Sequence, residues 1–397
     1  MNPTTNKVNF NEEFNKDFLS SQPIHSPKED QVNPSKKKTH HQKNKIRAYH
    51  KNHLHFPKYA KLKIPSMDAS NHIPAKVKDL FLFTKNLLSQ HLNKEIIAPP
   101  SNFYAPADGE TWTNPDRAKV YKITEQAVRC GYRLGGQKIE INKLDQETML
   151  NGAKFYENIE ELPPLETPFN TTFHLVEDDT FNVLLKLKKE GKNPVGINMA
   201  HSVVRGGGVI RGAAAQEESL YRRSDYHKAD ELISIKKAKL HEGVLYTPSI
   251  TVFREDEDHG FAFMEKPETV NIVAVAAFDF REHSLDRKAL RLPASGPLDE
   301  NKLRRNVNYV NGTKNRIRNM LRIMAHKEHK DIVLGALGCG AFLNPPKLIA
   351  DLYAEVFNEP EFKGRFNSVH FAIILKNLVK DRPNLEAFAD FCIKMQG

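Results

Sequence analysis

From Thr171 onward, short apolar runs alternate with amphipathic stretches. The runs are Phe173 to Val176, Val195 to Asn198, Ile250 to Phe253, Val270 to Phe278, Ile332 to Ala336 and Val369 to Leu375. Between them, helical spacing covers about 179–190, 213–222, 301–327, 346–357 and 383–395. Strands rich in Val and Ile, separated by helices, predict a buried α/β sheet with helices on both faces. Upstream, Leu80, Phe83, Leu87 and Leu88 share one helical face within 76–92. A Pro- and Asn-rich connection follows, and then a helix from Asp116 to Cys130, with Gly131 where a terminating glycine belongs. Residues 1 to about 70 are polar and show no sustained period. The chain therefore divides into a polar arm at 1–72, expected to be disordered, a helical extension at 73–165, and an α/β region at 166–397.

Charge sharpens the first boundary. The net charge is +10, but no acidic residue lies between Asp30 and Asp68, an interval that holds ten basic ones. The rest of the chain balances, 49 basic against 49 acidic. The basic character thus belongs to the arm, and 36–63 would suit an anionic partner. No apolar run approaches the roughly 20 residues that span a bilayer, and no secretory leader is expected at the start. Cys130, Cys339 and Cys392 are few, odd in number and far apart. That pattern excludes a disulfide scaffold and a CxxC zinc site, and it favours a reducing compartment.

The chemistry concentrates in Gly196 to Arg223, GINMAHSVVRGGGVIRGAAAQEESLYRR. A strand ends near Asn198, and a loop carries Gly206, Gly207 and Gly208. A helix then begins near Ala213. Consecutive glycines let a backbone approach a ligand and expose N–H groups, and a helix start adds more, which together suit a diphosphate. A flexible surface loop would have the same composition. Gln216, Glu217 and Glu218 fall in the first turns of the helix. Successive residues there point about 100° apart, so the two carboxylates are not expected to share one job. Catalysis competes with two plainer roles: Glu218 paired with Arg222, and Glu217 complementing the helix dipole. A second turn, DIVLGALGCGAFLNPP, runs a strand into Gly335, Gly338 and Gly340, then Phe342 and a Pro pair. Its glycine order is not that of the dinucleotide fingerprint. Two such loops at strand ends make one cleft for a phosphate-bearing ligand, with Phe342 either capping it or simply packing.

Triglycine, seven residues and then QEE resembles the signature of poly(ADP-ribose) glycohydrolases. The surrounding text is similar to the microbial-type branch of that family. Asn198 in GINMA resembles its LNFA segment, and LGALGCGAFLNPP its LGAWGCGAFGNPP segment. YTPSITVFRED (Tyr246 to Asp256), EDDT (Glu177 to Thr180) and the helix ending at Gly131 and Tyr132 also fit, in the right order over roughly 115–380. The chain departs from the pattern at Arg205, where Pro is usual, at Leu337, where Trp is usual, and at His201, which replaces a small residue.

The resemblance implies a macrodomain-like three-layer α/β/α sandwich with a mixed central sheet, here preceded by the helical extension and the basic arm. It implies an ADP-ribose cleft that needs no metal and no cofactor. Glu218 becomes the catalytic acid/base, protonating the leaving oxygen and then activating water. Glu217 would hold ribose hydroxyls or the leaving unit. Asn198, Gly206, Gly207, Gly208 and Gln216, with Gly338, Cys339, Gly340, Ala341 and Phe342, would bind substrate. As a general acid in an apolar pocket, Glu218 is expected to have a raised pKa.

The expected activity is release of ADP-ribose from poly(ADP-ribose) or from mono-ADP-ribosylated protein. The alternative is a macrodomain that reads ADP-ribose without cleaving it. A nucleic-acid-binding protein is disfavoured by the balanced charge of the globular part. The expected setting is intracellular, cytoplasmic or nuclear, and the expected form is a monomer. Delivery as a non-classically secreted effector stays open.

Overall fold

The computed structural model describes residues 96–97 and 112–396, apart from 158, 233, 234, 236, 237, 377, 378 and 380. The chain divides into two units, Met1–His72 and Ile73–Gly397, and every described residue lies in the second. The expected arm and the helix predicted at 76–92 fall outside the described residues.

Helix α1, Asn114–Cys130, opens with a reciprocal cap. Thr113 Oγ1 accepts from the Asp116 N–H, and the Thr113 N–H donates back to Asp116 at 3.2 Å. The helix ends at Gly131, whose φ of +74° only glycine adopts freely. Strand β1 (Ile96–Ile97) pairs with β2 (Tyr132–Leu134), which turns through Gly135 and Gly136 into β3 (Gln137–Ile139). Helix α2 (Lys143–Gly152) and β4 (Lys154–Tyr156) follow. The sequence reading had anticipated helices alone in this segment, yet β4 is an edge strand of the main sheet.

That sheet is built from β4, β5 (Thr172–Val176), β6 (Val195–Met199), β7 (Val244–Arg254), β8 (Phe263–Val275), β9 (Asp331–Leu334) and β10 (Ser368–Ala372). Their order is β4-β7-β8-β6-β9-β10-β5. Pairing is parallel from β8 through to β5 and antiparallel at β4–β7 and β7–β8, so the sheet is mixed. Alternation sends successive side chains to opposite faces. Val195, Ile197, Val273, Val275, Ile332 and Leu334 enter one core, with helices α7 (Val307–His326), α8 (Pro346–Phe357) and α9 (Arg382–Gln396). Ile250, Val252, Val270, Ile272 and Val333 enter the other, with α3 (Thr180–Lys189) and α4 (Gln216–Arg223). This is an α/β/α sandwich.

Three departures from the predicted elements have local causes. The stretch 301–327 is two helices, α6 (Glu300–Arg305) and α7, after a short α5 (Leu285–Ala289). Asn306 breaks it in an extended conformation, with its carboxamide capping Tyr309 N at 3.1 Å and holding Leu290 O at 3.1 Å. Strand β7 is longer than the apolar run that marked it, because a register shift at Thr247/Ile250 absorbs Pro248 and Ser249. Strand β8 stops at Val275 rather than Phe278, since Ala276–Phe280 peels away and Asp279 N instead donates to Asp286.

Helix α1 also reaches the chemistry. Thr124 Oγ1 donates to Arg222 O in α4 at 2.6 Å, fully buried. A Cβ on Gly212 would lie 1.7 Å from Asn114 O, so the loop before α4 is seated on the first residue of α1.

Candidate active site

The parallel strands end on one edge of the sheet, where open α/β folds gather their ligand sites. At that edge β6 delivers Asn198, and α4 returns over it. Gln216 fixes the return. Its amide oxygen accepts from Met199 N at 3.0 Å, while its Nε2 donates to Ile197 O at 2.7 Å and to Thr180 Oγ1 at 3.1 Å. Both ends of this side chain are committed to the protein, so Gln216 clamps the helix start to the strand rather than facing a ligand.

The next two side chains both turn to the triglycine. Glu217 is buried; it accepts from His201 N at 2.9 Å and Gly206 N at 3.2 Å, with Asn198 Nδ2 at 3.5 Å. Glu218 is buried too, and its Oε1 accepts from Gly208 N at 2.7 Å. Its Oε2 has no hydrogen-bond partner among the described residues. Arg222 makes no surface pair with it. The buried Arg222 guanidinium donates to Ala213 O at 2.7 Å, and burial pulls its pKa down to about 10.

This overturns one expectation about the loop. Its three N–H groups are not free for phosphate: Gly206 and Gly208 donate to the glutamates, and Gly207 to Val204 O at 3.1 Å. The glycines are needed for approach. Gly206 and Gly207 have φ of +69° and +54°, and a Cβ on Gly206 would sit 2.9 Å from the Tyr221 ring. The free N–H groups lie in the second loop instead. Gly340, Ala341 and Phe342 present three in succession with no acceptor among the described residues, a concavity suited to an anion. Gly338, at φ +74°, packs against Ala277 and Asn344, and Asn344 Nδ2 ties the loop to Phe278 O at 2.7 Å. Burial pushes the Cys339 thiol up, and its side chain packs with the sheet core.

Burial pushes the Glu217 carboxyl up to about 8, with the neighbouring Glu218 carboxyl adding to the shift and the His201 N–H opposing it. Asn198 Oδ1 is buried beside it with no partner among the described residues.

Two cleft residues escaped the sequence reading as functional ones. His201 Nδ1 accepts from Val203 N at 3.2 Å and Val204 N at 3.1 Å, so its proton lies on Nε2. Burial, then Arg281, lower its pKa, against raising contributions from Asp279 and Glu218. Its ring meets Phe342 edge-on at 6.1 Å. The Arg281 guanidinium lies 5.1 Å over the same Phe342 ring and is held by Asp279 at 2.9 Å. The signal for Arg281 was its place just past the end of β8. The EDDT segment is structural at its centre: Asp179 caps α3 at Asn182 N, 2.8 Å, and pairs with buried Arg223. Among the described residues no group of His, Cys, Asp and Glu is disposed to hold a metal ion, and no helix is long and apolar enough to cross a membrane.

A mixed sheet between helices, with two buried acids and a loop of unpaired N–H groups at the ends of its parallel strands, defines a macrodomain-like fold. The comparisons agree. Residues 121–255 match the microbial-type PARG catalytic-domain family, a stretch that contains Asn198, the triglycine and both glutamates. The poly(ADP-ribose) glycohydrolase of Thermomonospora curvata is 24% identical, with a TM-score of 0.57 over 70% of this chain and 99% of that one. The same protein bound to the inhibitor ADP-HPD gives 0.55 at the same identity and coverage. The Deinococcus radiodurans glycohydrolase in complex with ADP-ribose is 22% identical, with a TM-score of 0.50 over 67% of this chain and 100% of that one. These likenesses establish the fold. No curated protein matches the sequence.

Proposed function

We propose that the chain is a glycoside hydrolase that releases ADP-ribose from poly(ADP-ribose) or from ADP-ribosylated protein, with Glu218 as general acid and base. The observation that carries this reading is the asymmetry of the two acids. Glu217 is tied down through both oxygens, while Glu218 is anchored through Oε1 alone and keeps Oε2 for the cleft. The diphosphate is assigned to the free N–H groups of Gly340–Phe342, the distal ribose to Asn198 and Glu217, and the ring of Phe342 to the sugar's outer face.

In this scheme Glu218 gives its proton to the oxygen leaving the anomeric carbon. The glycosidic bond breaks with its electron pair going to that oxygen, and the oxocarbenium charge is balanced by the diphosphate. Glu218 then accepts a proton from water as the water attacks. One carboxyl thus performs both halves, unlike the common pair flanking the bond. Glu217, largely protonated at neutral pH, can donate to a ribose hydroxyl as well as accept from one. Gln216 acts through position: it sets the register of α4 against β6. Cys130, Cys339 and Cys392, none of them in a disulfide, go with an intracellular setting, cytoplasmic or nuclear.

The test is ADP-ribose release from poly(ADP-ribose) and from arginine-linked ADP-ribosylated protein, comparing wild type with Glu218→Gln. A loss of about 10²–10⁴ with ADP-ribose binding kept is expected. Tight binding with no release by wild type would make the protein a reader.

A further inference from the structure

A second polar cavity lies away from the two glycine loops. Its volume is about 270 Å³, room for roughly nine waters. His241 and Glu242, on the segment entering β7, form one wall; Gly312, Asn315, Arg316 and Asn319 form the other. The last four recur at the spacing of one helical face of α7.

The donors that α7 brings to this cavity have no acceptor among the described residues. A Cβ on Gly312 would strike the Phe278 ring at 2.8 Å, so glycine there admits the ring, and the Arg316 guanidinium lies 3.6 Å over it. Arg316 makes no hydrogen bond or ion pair with the described residues, and its Nη1 is buried without a partner. Burial lowers its pKa to about 10, so it is charged at neutral pH. The carboxyl that acts on it, Asp286, spends Oδ2 on Asp279 N at 2.6 Å. The two asparagines are oriented by neighbouring arginines. Asn315 Oδ1 accepts from Arg318 at 2.6 Å and Asn319 Oδ1 from Arg322 at 3.4 Å, which leaves each Nδ2 as a donor with no partner among the described residues. The one wall carboxylate, Glu242, is turned to Lys239 and His241, each at 3.4 Å. A charged guanidinium without a partner, flanked by donor-only amides, calls for an anion of several acceptor oxygens.

Position in the sheet says which anion. In the order β7-β8-β6-β9, the glutamates hang at the end of β6 and the free N–H groups follow β9. The cavity lies on the opposite side of β6, beside the exit of β8 and the entry of β7. In the scheme proposed above, a line from the diphosphate at the β9 loop through the anomeric carbon at Glu218 continues across β6 toward β8 and β7. We propose that the Arg316 cavity is an anion subsite for the leaving unit, taking a phosphate or diphosphate group. This rests on the glycohydrolase reading.

The probe is inorganic pyrophosphate, titrated calorimetrically into the full chain already saturated with ADP-ribose. Wild type should bind it, Arg316→Gln at least tenfold more weakly, and Arg316→Lys in between. KM for poly(ADP-ribose) should rise about tenfold in Arg316→Gln. An unchanged thermal midpoint and unchanged ADP-ribose affinity show that the variant is folded. No pyrophosphate binding beside ADP-ribose, equal binding by Arg316→Gln, or an unmoved KM would overturn the subsite. Absence of ADP-ribose release by wild type would instead remove the enzyme reading, and the leaving-unit role with it.

Discussion

Replacing Gly207 by Ala puts one methyl group where two carboxylates converge. The new Cβ would lie 2.5 Å from Glu218 Oε1, 3.2 Å from its Cδ and 3.1 Å from Glu217 Oε2. Ordinary contact begins near 3.4 Å, so Glu218 or the loop must give way by nearly an ångström. Either movement stretches the 2.7 Å bond from Gly208 N, a contact worth about 0.5–1.5 kcal/mol. The backbone adds about 1–2 kcal/mol, because φ is +54°. A reacting group displaced by about 1 Å can lose roughly 10²-fold in rate. We expect kcat for ADP-ribose release to fall about 10²-fold, with a melting point lower by several degrees. Gly191→Ala separates the two causes. Gly191 has φ +81° but open space around it, so it should carry the backbone cost without the rate loss. Turnover by Gly207→Ala within twofold of wild type would refute the placement of Glu218 against this loop.

Gln216→Ala strips Met199 N and Ile197 O of their partners at about 1–3 kcal/mol each, so the melting point should drop and kcat should fall with it; a drop in neither would deny the clamp. Glu217 is protonated in the folded state up to about pH 8, against 4.5 when exposed, so the folded chain holds a proton that the unfolded chain releases. Its stabilising contribution is full below about pH 4.5 and is lost as pH rises toward 8. Urea melts at pH 5 and pH 8 should show a steeper fall for wild type than for Glu217→Gln, by a few kcal/mol, and equal slopes would contradict the raised pKa. Arg223→Met leaves Asp179 without its buried partner and Asn182 Oδ1 and Arg254 O without a donor, which should cost about 3–5 kcal/mol in chemical denaturation.

Much of the fold was legible because its signals are local. The Pro pair at 345–346 opens α8 where expected, and Val and Ile runs mark β5, β6, β9 and β10. Strands β2 and β3 were missed because three residues are too few for alternation to register, although Gly135–Gly136 is the dipeptide that a tight hairpin prefers. The break at Asn306 was hidden by helical spacing on both sides. At the site, residue identities were readable but not their duties. A helical wheel places Glu217 and Glu218 about 100° apart and cannot show that a loop wraps close enough to meet both. Nor can it show that Gly206 and Gly208 spend their N–H groups on those acids, which leaves the second loop to offer its own. Arg281 and His201 became visible only when the ends of β6 and β8 came together beside Phe342.

The seat that Asn114 provides for Gly212 has a use in protein engineering. The wall behind the acids is supplied by a helix that lies about a hundred residues ahead of them in the chain. A cut near residue 165 would therefore part the enzyme into two fragments, one with the seat and one with the glutamates. Apart, each should be silent; fused to partners that bring them together, they should regain turnover. Such a split pair would report the meeting of two proteins through the appearance of free ADP-ribose.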